Sequence, residues 1–155
     1  MIRPHAWGRY EDLLRATAES PAMLFYLDTW LSADPDARPA PPIRTRGLNE
    51  NYAREIRELY TLGVDGGCPQ RDVTELARVF TGWTIRGLAG QRPEFLFDER
   101  IHDPGDKVVM GHVVTGAAKA EGDRMIHLLA THPSTARFVS LKLCRRFHGM
   151  PACPW

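Results

Sequence analysis

Cysteine, net charge, long apolar runs and an export leader are all scarce or missing in this 155-residue chain. Three cysteines, Cys68, Cys144 and Cys153, are too few and too irregularly spaced for a disulfide framework, and they leave the redox compartment open. A formal net charge of +1 gives a polyanion little to be drawn to, so no nucleic-acid partner is expected. No apolar run approaches the roughly 20 residues that cross a bilayer, so no transmembrane segment is expected. The start, MIRPHAWGRYEDLL, has no apolar signal core, so this chain on its own is expected in the cytoplasm. There is no Cys-x2-Cys pair of the zinc-binding kind. Phosphate-loop and nucleophile-elbow signatures are missing as well.

What remains is ordinary for one soluble domain: 43% apolar and 25% charged residues, enough for a modest core. Helical spacing dominates. Residues 5–19 place Trp7, Tyr10, Leu13, Leu14 and Ala18 on one face. Ser20-Pro21 stops that helix and caps the next, residues 22–31, which is apolar on most sides and so is expected to be the most buried. Residues 32–48, with Pro35, Pro39, Pro41 and Pro42, form a proline-rich loop. A third helix opens at Asn49, with Tyr52, Ile56, Leu59 and Tyr60 as its inner stripe and Glu50, Arg54 and Glu58 as an outer charge ladder. A fourth begins near Pro69, with Val73, Leu76, Ala77 and Phe80 inward. The segments 93–98 and 107–115 alternate like strands and suggest one antiparallel ribbon lying on the helices. Helices at 121–131 and 134–148 complete the set, the last with Ala136, Val139, Leu143 and Phe147 inward, before a frayed tail at 149–155. The expected fold is mainly α: about six helices in an irregular bundle with a small antiparallel β-ribbon packed on them, in a single domain or fragment over 1–155.

Two groups of polar residues invite a chemical reading. Asn49, Asn51 and Arg54 lie with Glu55 and Glu58 on the outer face of the third helix. Glu55 and Glu58, one turn apart, suit an acid–base pair or hard metal ligands if drawn into a cleft, and suit a solvated ladder equally well. His102 and Asp103, near Asp98, Glu99 and Asp106, suit an acid–base or metal site, or plain turn chemistry in Asp103-Pro104-Gly105-Asp106. The turn Gly63-Val64-Asp65-Gly66-Gly67 lacks the ligand spacing of a calcium loop, since Leu76 falls where glutamate is needed. Cys144 and His148, four residues apart, read as a single buried cysteine and a helix-end histidine. No metal site is assigned, and the cofactor is unknown.

The strings NENYAREIRELYTLGVDGG, DVTELARVFTGWTI, FLFDERIHDPGDKVVMG and HPSTARFVSLKLCRRF resemble the bacterial family known as domain of unknown function 1800 (DUF1800). RYEDLLRATAESPAMLFYLDTWLS is similar to it as well, so the resemblance spans nearly the whole chain. It implies the C-terminal portion of a longer, often exported or periplasmic parent, tending to be encoded beside a sulfatase-like protein. Tyr60 stands where the family usually has histidine, Cys68 where it has tyrosine, and Pro69 where a threonine is common. Two functions follow as expectations. One is a cell-envelope binding or structural protein whose contact face is Asn49, Asn51 and Arg54, with the sulfatase-like neighbour as partner. The other is a metal-assisted hydrolase-like enzyme using Glu55, Glu58, His102 and Asp103.

Overall fold

The computed structural model describes residues 2–37, 45, 47–64, 69–87, 90 and 92–148. Among them are six helices and two separate two-stranded antiparallel ribbons, so the mainly α architecture stands. The tail 149–155, residues 38–44 and 46 of the proline-rich loop and residues 65–68 of the glycine-rich turn lie outside the described residues.

Helix α1 (Tyr10–Ala18) buries Leu14 and Ala18, while Trp7, ahead of it, is fully exposed. Ser20 accepts a hydrogen bond from the Met23 N–H at 3.5 Å and Pro21 fills the first position of α2, as its sequence requires. That helix is only Pro21–Tyr26. Asp28 adopts a left-handed φ of 56°, which ends it, and residues Thr29–Leu31 continue as a 3-10 turn. Leu24, Leu27 and Leu31 are buried. Phe25 and Tyr26 face outward, so this is not the most buried helix.

Helix α3 (Asn51–Glu55) runs straight into a π-helical segment, Ile56–Thr61. The Thr61 hydroxyl donates to the carbonyls of Ile56 at 2.7 Å and Arg57 at 3.2 Å, and Leu62 N–H reaches back five residues to Arg57 at 2.7 Å. Widening the turn rotates everything after it relative to an α-helix. The inner stripe becomes Tyr52, Ala53, Ile56, Arg57, Thr61 and Leu62, with Tyr60 half-buried against the core as expected, and Leu59 is turned out at 45% exposure. Helix α4 (Gln70–Val79) buries Val73, Leu76 and Ala77 as its periodicity predicts.

Strand β1 (Trp83–Arg86) pairs with β2 (Glu94–Phe97), from Trp83 opposite Phe97 to Arg86 opposite Glu94. Strands β3 (Lys107–Val109) and β4 (His112–Val114) form their own hairpin. The single ribbon expected between 93–98 and 107–115 is thus two ribbons. The reason is local: Met110 and Gly111 have φ values of 53° and 77°, the two left-handed residues of a tight hairpin turn.

Helix α5 (Lys119–Thr131) buries Met125, Ile126 and Leu129. Helix α6 (Pro133–His148) seats only its first half. Thr135 donates to the Leu129 carbonyl at 2.6 Å, and Lys142 reaches the Leu59 carbonyl at 3.0 Å across the Phe138 ring. Those contacts choose the Thr135–Phe138 side as the inner face. The expected inward stripe points the other way: Leu143 is 52% and Phe147 76% exposed. At the centre, Tyr52, Phe80, Trp83 and Phe95 stack edge to face at centroid spacings of 5.0 to 5.2 Å and join α3, α4 and the first ribbon.

Candidate functional site

Charge collects where α4 ends against the turn before β3. Thr81 is fully buried; its hydroxyl donates to the Arg78 carbonyl at 2.6 Å and accepts the Asp103 N–H at 2.9 Å. Asp103 accepts the Gly105 N–H at 2.8 Å, the turn bond its Asp-Pro-Gly sequence favours. Its carboxylate also takes the Arg78 guanidinium in a fork, Nε to Oδ2 at 2.6 Å and Nη2 to Oδ1 at 3.1 Å. Burial raises the Asp103 carboxyl, but the Arg78 fork and the Gly105 N–H outweigh it and hold the group below the usual carboxylate range. Arg78 additionally grips Glu75 at 3.0 Å, and Glu75 accepts the Val108 N–H at 3.0 Å. Helix α4 and the β3 hairpin are in this way tied together by one guanidinium.

Behind that fork lies a fully enclosed pair. The Lys107 ammonium donates to Glu121 Oε2 at 2.7 Å, with both side chains at 0% exposure, and also to the Asp103 carbonyl. The other Glu121 oxygen accepts the Ala117 N–H at 3.0 Å and so caps the start of α5. His102, whose side chain is 4% exposed, places Nε2 3.5 Å from Glu121 Oε2 and Nδ1 2.8 Å from the Thr81 carbonyl. Gly122 lets α5 lie against Trp83: a Cβ there would stand 2.4 Å from the indole. The groups at this junction that carry charge join α4, β3 and α5, with no route for a substrate to Lys107 or Glu121.

The α3 ladder is present as read. Arg54 meets Glu50 at 3.1 Å and Glu58 at 3.9 Å, on a face where Arg54 is 46% exposed. Glu50 also accepts from Gln70 and Thr74, each at 2.7 Å, so it ties α3 to α4. Asn49 accepts the Asn51 N–H at 2.8 Å and donates to the Leu27 carbonyl at 3.1 Å; it links the helix start to the end of α2. Asn51 itself is exposed. The Tyr60 phenol is raised, first by burial and then by the charge of Glu55. His102 and Asp103 are adjacent in one network. Among the described residues, no hydrogen bond or ion pair joins Glu55 or Glu58 to either of them.

Among the described residues no three His, Cys, Asp or Glu side chains are grouped to hold a metal ion. Cys144 is exposed rather than buried, because it lies on the unseated half of α6. Cys68, Cys153 and the His148 side chain lie outside the described residues. Sequence reasoning missed Lys107, Glu121 and Arg78. Glu121, three residues after Ala118 at the start of a helix, lacked the Ser or Thr that would have made a capping box readable. Lys107, at the head of a β-branched strand, carried no signal. An open apolar cavity of about 460 Å³ lies elsewhere, lined by Phe25, Ile85, Arg92 and Pro93 among others, and contains none of the residues singled out above.

The chain matches the family described as Protein of unknown function (DUF1800) over residues 1–154, and it belongs to that family. No curated protein and no solved structure matches it.

Proposed function

We propose that this chain is a binding protein that docks a protein partner on the outward face of α6, and that its most chemical-looking residues hold the fold rather than react. The observation that carries this is the unseated half of that helix, where Leu143 and Phe147 stand one turn apart at 52% and 76% exposure. With Val139 they make an i, i+4, i+8 row, the pattern by which a helix enters a groove. Beside them the exposed Arg145 and Arg146 carry positive charge and the helix has no acidic residue, so the partner is an acidic surface with an apolar recess.

Fully burying one leucine and one phenylalanine gives about 3 to 6 kcal/mol before the cost of association. Two apolar anchors alone do not reach micromolar affinity, so the arginines are part of the proposal and binding should weaken with salt. The resemblance drawn from the sequence implies a cell-envelope setting, and it makes the sulfatase-like neighbour the first partner to try. The hydrolase reading has less support. His102 and Asp103 are committed to Thr81, Arg78 and Gly105, and Lys107 and Glu121 beside them are closed off.

The test is binding of the purified sulfatase-like protein to wild-type chain and to Leu143→Asp/Phe147→Asp. Binding that falls at least tenfold in the variant, with an unchanged melting temperature, supports the reading. No binding by the wild type, or equal binding by both, overturns it.

A further inference from the structure

The start of α2 and the edge of the first ribbon enclose the apolar cavity of about 460 Å³, a volume within the usual range of small-molecule sites. We propose that this cavity binds a free carboxylic acid with an apolar tail, of the medium-chain fatty acid class. The tail lies against Phe25 and Ile85, and the carboxylate sits on Arg92. The proposal is independent of the docking reading, since none of the described residues of α6 lines the cavity.

The walls follow from the sequence. Ser20 and Pro21 fix where α2 begins, and Pro21, Ala22 and Phe25 then share one side of that short helix. Phe25 stacks on Trp30 with ring centroids 6.0 Å apart and planes 12° from parallel, so its ring is held in place while 58% exposed. Across the cavity, Ile85 comes from β1. Arg92 and Pro93 come from the segment entering β2, brought alongside by the pairing of Ile85 with Phe95. These walls have little to offer a polar ligand. Pro21 and Pro93 lack an N–H, and Ser20 is buried with its hydroxyl already accepting the Met23 N–H. Helix α2 is six residues, about 9 Å long, which suits a medium acyl chain and not a long one.

An apolar wall alone names no occupant; the cation at its rim does. Among the described residues Arg92 has no hydrogen bond and no ion pair. The carboxylate two residues on, Glu94, is taken by Arg86, whose Nε and Nη2 donate to Oε2 at 3.0 and 2.6 Å. Glu19, beside Ser20, is taken by Lys119 at 2.8 Å. A guanidinium at the edge of an apolar recess, with the neighbouring carboxylates already paired, suits an anion that brings its own tail. One cation and no further donor match a single carboxylate better than a phosphate or a sugar.

The experiment is calorimetric titration of the full chain with decanoate below its micelle concentration, with decanol and acetate as probes of tail and head alone. Wild type, Arg92→Gln and Ala22→Trp are compared. Ala22 is exposed on the wall, so an indole there fills the recess without entering the core. The expected result is saturable binding of decanoate, none of acetate, and decanol weaker by about fivefold, the worth of a solvent-facing ion pair. R92Q should bind decanoate only as well as decanol, with decanol itself unchanged. A22W should bind neither, and if it does not fold, R92Q decides. No saturable decanoate binding by wild type, or equal decanoate binding by wild type and R92Q or A22W, overturns the proposal. Binding of phosphatidylglycerol vesicles in place of decanoate, lost in A22W, would assign the cavity to a membrane lipid and overturn it as well.

Discussion

Two charged clusters in this molecule use the same residue types and do different work. On α3, Glu50, Arg54 and Glu58 form a ladder with a half-exposed guanidinium. At the α4–β3–α5 junction, Lys107 and Glu121 form a pair at zero exposure, surrounded by Arg78, Asp103 and His102. Water screens the first and stands in for any partner removed; nothing does so for the second. The difference teaches that a row of charges at helical spacing is a weak sign of importance. A charge whose side chain has no exposed surface, such as Lys107, is a strong one.

The comparison breaks most visibly at Lys107. Lys107→Met leaves the Glu121 carboxylate buried without its cation, a loss of about 3 to 5 kcal/mol. Adding Glu121→Gln to that variant removes the stranded charge while keeping an acceptor for the Ala117 N–H, and should restore part of the loss. Urea unfolding of the single and double variants checks both statements. A double variant less stable than K107M would mean that Glu121 acts mainly as the cap of α5 rather than as a counter-ion.

A smaller effect is expected one step outward, at Asp103. Its carboxyl sits below the usual range in the folded state. A depressed group contributes stability that is present above its unfolded value of about 3.9 and lost as pH falls through the folded one. Wild type should therefore lose stability below about pH 4. Asp103→Asn should be less stable by about 2 kcal/mol at neutral pH, the worth of its charge-assisted hydrogen bonds. Below pH 4 the gap to wild type should narrow. An unfolding series over pH 2.5 to 7 reads the gap directly, and a gap constant with pH would remove Asp103 from the acid response.

The same contrast explains what could be read from the sequence. Although α1 starts only at Tyr10 and α2 stops at Tyr26, the order of the helices, the Ser20-Pro21 junction and the α3 ladder follow from local periodicity and capping and are found as expected. The face of a helix after Ile56 does not, because a π-helical segment depends on where Thr61 finds its acceptors. Nor does the inner side of α6, which Thr135 and Phe138 choose against a stripe that looked just as apolar. The hairpin at Met110-Gly111 was missed, because 107–115 reads as one β-branched strand when its two left-handed turn residues are not recognised. Of the site, His102 and Asp103 stood out because they are adjacent. Lys107 is only four residues from Asp103, but Arg78 lies 25 residues from Asp103 and Glu121 lies 14 from Lys107, and only packing brings those two in.

The smallest effect is expected at Arg54, the guanidinium most exposed to water of those compared. Its removal in Arg54→Ala orphans little, since Glu50 keeps Gln70 and Thr74 and Glu58 is met by solvent. The change in unfolding free energy should stay within about 0.5 kcal/mol and shrink further as salt is added. A loss of 1.5 kcal/mol or more, unaffected by salt, would show that the ladder anchors α3 on α4 as firmly as Arg78 anchors the β3 hairpin. The division between a solvated face and a buried clamp would then no longer describe this molecule.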